Sequence, residues 1–104
     1  MLQQALQIAD EDKQASLERL LTLLRIPSIS TDIAYKPECI KTADLLVQML
    51  DEIGFKAERI DSQGMPFVFA ERIEGENLPT ILLYGHYDVQ PVDPLDQDLG
   101  PGPK

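Results

Sequence analysis

Leu17, Leu20, Leu21 and Leu24 recur at the i, i+3, i+4, i+7 spacing that places side chains along one face of an α-helix. The pattern predicts a long helix over residues 2–25, with a leucine face that other parts of the chain must cover. Asp10, Glu11 and Asp12 form an acidic stretch within it, most simply a solvated one, and either aspartate suits the cap of a second helix if the chain breaks there. Pro27 ends the helix, because the residue before a proline is pushed out of the α region. Residues 28–36 then read as a loop.

Pro37 suits the first turn of a second helix, where the missing N–H costs nothing. From there Ile40, Ala43, Leu46 or Val47, Leu50 and Ile53 continue at helical spacing to Gly54, a residue able to take the left-handed cap. Residues 55–60 interleave Phe55, Ala57 and Ile60 with Lys56, Glu58 and Arg59, an imperfect strand with one wet face. Gly64-Met65-Pro66 marks a turn, and residues 67–73 (FVFAERI) are rich in β-formers. After the polar turn Glu74-Gly75-Glu76-Asn77, residues 80–84 (TILLY) form a short, continuous apolar block closed by Gly85. Such a run predicts a strand buried on both faces. The tally is an α/β fold, with two amino-terminal helices followed by three strands. Short connections allow antiparallel pairing for at least one pair, so a mixed sheet is expected.

The visible chemistry sits just past the last of these strands. His86 and Asp88 stand two apart, and in an extended backbone that spacing points both side chains to the same side. Ligands of open α/β sheets bind at the carboxyl ends of strands. A neutral imidazole is a common metal ligand, and a ligating histidine usually gives its other ring N–H to a carboxylate that fixes the tautomer. Taken alone, a His-x-Asp triplet more often marks a capped loop with no metal than a metal site.

Composition narrows the classes. The chain has 104 residues, 43% hydrophobic and 26% charged, as an ordinary globular domain does. Eighteen acidic against nine basic residues give a net charge of −9, a field that repels nucleic acid and anionic membrane surfaces. There is no run of eighteen apolar residues, and residues 1–13 (MLQQALQIADEDK) lack the basic start and apolar centre of a secretory signal. A cytoplasmic location is expected. The single cysteine, Cys39, has no disulfide partner in the chain and reads as a small buried residue early in the second helix. Tyr35 reads as a packing aromatic.

The residues 84–94, YGHYDVQPVDP, closely resemble the first metal-ligand motif of the M20 family of metallopeptidases, which includes dipeptidases, carboxypeptidases and N-acyl-amino-acid deacylases. The residues 23–30, LLRIPSIS, look like that family's phrase at the end of the first helix and fall in the expected order. The resemblance implies an incomplete part of a zinc-peptidase-like α/β catalytic domain. Its complete site holds two Zn2+ ions, other divalent metals being admissible, and a glutamate serves as general base. On this resemblance His86 matches a zinc ligand and Asp88 the catalytic-site carboxylate that orients it. The bridging aspartate, the Glu-Glu pair and the remaining ligands of the family have no counterpart here. The implied substrate is a small peptide or N-acyl amino acid, and the implied assembly of the complete protein is a homodimer.

The resemblance runs from about Leu17 to Asp96 and then fails, so residues 1–96 are expected to form the amino-terminal part of an M20-like catalytic domain. Residues 97–104 (QDLGPGPK) are expected to form a divergent, flexible Gly/Pro-rich tail. Asp93, Asp96 and Asp98 read as turn residues rather than as replacement ligands. A truncated hydrolase, inactive alone, is therefore the expected function. The alternative is a non-catalytic α/β remnant or interaction module with weak metal binding or none.

Overall fold

The computed structural model describes residues 1–91. It contains helices α1 (Leu2–Glu11), α2 (Lys13–Leu24) and α3 (Lys36–Glu52), a 3₁₀ turn at Ile33–Tyr35, and strands β1 (Lys56–Ile60) and β2 (Phe67–Glu71).

The expected first helix is present but divided at Asp12. Asp12 separates α1 from α2 with φ −93° and ψ 7°, while backbone hydrogen bonds run on through it, from Asp12 N to Ile8 O and from Ser16 N to Asp12 O. Asp12 holds the N-cap position of α2, yet its carboxylate makes no bond to the helix amides. Instead it accepts from Arg19 at 2.7 Å and Ser16 at 3.3 Å. The leucine face that packing was expected to cover is half bare, with Leu17, Leu20 and Leu24 each about half exposed. Neither helix has a fully buried residue among those described.

Proline and glycine punctuate α3 as the sequence predicts. Pro37 lies in its first turn, and Gly54 follows its end with φ 97°, in the left-handed region that costs an L side chain about 1–2 kcal/mol. The hairpin pairs β1 with β2 antiparallel, Lys56 opposite Glu71 and Ile60 opposite Phe67. Ala57, Arg59, Val68 and Ala70 occupy the half-buried face, and Phe67 and Phe69 stay about half exposed on the other. Arg59 ties the hairpin to α3 through Asp44, one guanidinium nitrogen lying 2.9 Å from each carboxylate oxygen.

Two expectations for the sheet are corrected. Three strands of a mixed sheet were predicted, whereas the described residues form a two-stranded, purely antiparallel sheet. Residues 80–84 are not a strand, and Ile81, Leu82, Leu83 and Tyr84 are 83–94% exposed. The physical reason is the lack of a partner: β structure is a ladder between neighbours, and among the described residues neither β1 nor β2 pairs with this run. The helix count also changes, from two to three α-helices and a 3₁₀ turn, because Asp12 divides the first and Asp32 starts the turn by accepting from the Ala34 amide.

The buried centre is small and lies under the α2–α3 connection. It holds Ile26, Ile29, Cys39 and Ala43 with the polar Ser28 and Thr42; Cys39 is buried as expected, and Tyr35 is half-buried at the start of α3. The radius of gyration of 17.2 Å exceeds the ~13 Å of a compact domain of about 100 residues, in keeping with the bare apolar faces.

Candidate metal site

The connection after α2 and the segment after Gly85 meet across the buried centre. Ile29 and Val89 form a single parallel bridge, in which Val89 N donates to Ser28 O at 3.0 Å. Ser28, fully buried, also donates its hydroxyl to the Tyr87 carbonyl at 3.1 Å. Tyr87 is half-buried and donates its phenol to the Pro66 carbonyl at the end of the hairpin loop. The backbone on both sides of Asp88 is therefore held to the rest of the molecule.

His86 and Asp88 meet as the two-residue spacing predicts, with His86 Nδ1 at 2.8 Å from Asp88 Oδ1. The other carboxylate oxygen, Oδ2, accepts a hydrogen bond from the Ser30 hydroxyl. Together the Ser30 hydroxyl, foremost, and the His86 ring hold the Asp88 carboxyl below its usual range. An ionised carboxylate only accepts, so Nδ1 must be the donor, and in the neutral ring the lone pair is then on Nε2. The His86 side chain is 78% exposed and that of Asp88 37%; the imidazole thus faces open space while its partner is anchored. This is the chemistry of a monodentate imidazole ligand with an orienting carboxylate.

Nearby groups stay protonated. Burial, foremost, and the Asp88 charge push the Cys39 thiol up, and burial likewise raises the Tyr87 phenol, with Cys39 and Asp88 adding to it. Neither is poised as a nucleophile or base.

A groove of about 870 Å³ runs beside the pair, walled by Leu20 and Leu24 of α2, by Phe67 of β2 and by residues 83–89. The residues present fit one coordination position and no more: no group of three or more His, Cys, Asp or Glu side chains that could hold an ion occurs among the described residues, and zinc generally takes three or four protein ligands. Asp93, Asp96 and Asp98, and the expected tail at 97–104, lie outside the described residues.

Ser28, Ser30 and Tyr87 were not singled out from the sequence as site residues. The signal available for the serines was their alternation in Pro27-Ser28-Ile29-Ser30, which puts two hydroxyls on one side of an extended segment. For Tyr87 there was none, since its partner Pro66 is set by the hairpin.

Comparison with known proteins places the chain beside metallopeptidases. It is 30% identical over 95 residues to a Cys-Gly metallodipeptidase of Schizosaccharomyces pombe, covering 82% of this chain and 20% of that protein. To a Cys-Gly metallodipeptidase of Candida albicans it is 31% identical over 103 residues, covering 86% of this chain and 21% of the relative. A succinyl-diaminopimelate desuccinylase of Aromatoleum aromaticum is 42% identical over 53 residues, 51% of this chain and 13% of the relative. The chain spans about a fifth of the length of the metallodipeptidases it matches. No family model matches it, and no solved structure matches it significantly. The relatives are M20 family metallopeptidases, and the chain is homologous to a part of them.

Proposed function

We propose that this M20 homologue takes part in metal-dependent hydrolysis of small peptide or N-acyl amide substrates, with His86 as a zinc ligand. The observation that carries the reading is the 2.8 Å approach of His86 Nδ1 to Asp88, which leaves the lone pair of Nε2 free to bind a metal. On this reading residues 1–96 are the amino-terminal part of an M20-like catalytic domain and residues 97–104 a separate tail. When bound, zinc supplies polarisation of the substrate carbonyl and acidification of a water molecule. The chain's own contribution is to hold the ring: Asp88 keeps the proton on Nδ1, Ser30 keeps Asp88 in place, and Ser28 fixes the backbone around both.

The names of the relatives, a dipeptidase and a desuccinylase, support a small substrate and a divalent metal. Among the described residues one imidazole cannot make a complete zinc site, so residues 1–104 alone are expected to bind zinc weakly, at most one ion, and not to turn over. That same observation favours a second reading, a non-catalytic α/β module. No helix among the described residues is long and apolar enough to cross a membrane.

The test is to load the protein with Zn2+ and measure metal stoichiometry and hydrolysis of dipeptides and N-acetyl amino acids, for the unaltered chain and for His86→Ala. Weak zinc binding that vanishes with His86→Ala supports the hydrolase reading. Zinc content that survives the substitution would remove His86 from the site, and an unaltered chain that binds no zinc favours the second reading.

A further inference from the structure

We propose that Ser30 is a positioning residue for His86: its hydroxyl takes Asp88 Oδ2 while the imidazole takes Oδ1, so a serine on the α2–α3 connection decides which ring nitrogen of His86 is left free. This rests on the proposed function only for its purpose, since the geometry is independent of any metal.

Consider what holds the ring without Ser30. His86 makes one side-chain hydrogen bond among the described residues, to Asp88, and its side chain is 78% exposed. An exposed ion-pair-like contact between two freely rotating side chains is worth little, because water competes for both partners. An aspartate two residues away could swing off and leave the imidazole to its solution preference, which is Nε2–H, the tautomer with the wrong nitrogen free. Ser30 removes that freedom. It occupies the second oxygen of Asp88 from a different part of the chain, 58 residues away, and fixes the carboxylate plane at two points. Ser30 is itself held: Ile29 before it is buried and bridged to Val89, and Ser28 bonds the backbone at 87 and 89. Burial of the α2–α3 connection is thereby converted into orientation of an exposed ring.

The chain has a single histidine, so ring 15N labelling gives one signal set. The experiment records long-range 1H–15N correlations of the metal-free chain at pH 8.5, well above the ordinary imidazole pKa of ~6.5, for the unaltered protein, Ser30→Ala and Ser30→Thr. The unaltered chain is expected to be mainly Nδ1–H. Ser30→Ala should lower the Nδ1–H to Nε2–H ratio by about 2- to 10-fold, the change that loss of one net hydrogen bond implies, and Ser30→Thr should restore it. An unchanged ratio in Ser30→Ala, or no recovery with threonine, overturns the proposal. So does loss of the native circular dichroism spectrum in Ser30→Ala, which would make Ser30 a folding residue. Zinc titration of the unaltered chain is read separately: no binding there, with the tautomer still responding to Ser30, sinks the ligand role of His86 and leaves the positioning role standing.

Discussion

Arg72, just past β2, closes the end of α3: its Nη1 donates to the Ile53 carbonyl at 2.9 Å. Helix ends leave carbonyls without partners, and a cation there also complements the helix dipole. The same nitrogen lies 3.0 Å from where a Cβ on Gly54 would sit. Gly54→Ala therefore meets two penalties, a positive φ and a crowded guanidinium. We expect it to destabilise the α3–hairpin unit by about 1–2 kcal/mol, read as a lower urea midpoint. An unchanged midpoint would mean that the chain avoids the left-handed turn in solution.

Asp88→Asn keeps the size of the side chain and removes its charge. On the proposed reading Asp88 acts on a ligand rather than on the metal, so zinc affinity should fall about 10- to 100-fold, measured by competition with a chromophoric chelator. Affinity equal to that of the unaltered chain would show that the residue only caps its loop.

Arg19, foremost through its hydrogen bond to the carboxylate, lowers the Asp12 pKa from the usual 3.8. A folded-state pKa below the unfolded one contributes stability that is fully present above the unfolded value and is lost as pH falls through the folded value. The α1–α2 junction should thus lose helicity on acidification below about pH 4, by circular dichroism. In Asp12→Asn this part of the acid response should be absent; an identical acid profile would assign the loss to other carboxylates.

Cys39 has no exposed surface, and its thiol is raised by burial and by the Asp88 charge. Alkylation by iodoacetamide at pH 8 should be at least ~10-fold slower in the native chain than in urea, since only an accessible thiolate reacts. Equal rates would show that the buried centre opens readily.

Much of the local structure was legible in the sequence because its causes are local. Pro37 and Gly54 bracket α3 through their own backbone limits, and the Gly64-Met65-Pro66 turn separates two β-prone runs that do pair. The placement of His86 and Asp88 on one side of the backbone follows from their two-residue spacing. What was not legible depends on partners far away in the chain. Residues 80–84 announce a need for burial, but an apolar run does not say which strand will pair with it, and here none among the described residues does. Leu17, Leu20 and Leu24 pose the same problem on α2. The role of Ser30 was not legible for a related reason: the alternation of Ser28 and Ser30 puts two hydroxyls on one side of the segment but does not say that one of them will find Asp88.

That distance also sets when the site can form. Closing a flexible loop of 58 residues costs roughly 3.6 kcal/mol in chain entropy, before a constant term. The three hydrogen bonds that join Ser28 and Ser30 to residues 87–89 offset that by only ~0.5–1.5 kcal/mol each. Their sum, about 1.5–4.5 kcal/mol, at best matches the closure cost with its constant term, so by themselves they do not hold the two segments of a disordered chain together. Once α3 and the hairpin have folded, most of the intervening residues are already fixed and the remaining closure is short. The His86–Asp88 geometry is therefore a late event in folding and an early one in unfolding, and the Val89 amide should exchange with solvent hydrogen sooner than the amides of the β1–β2 ladder.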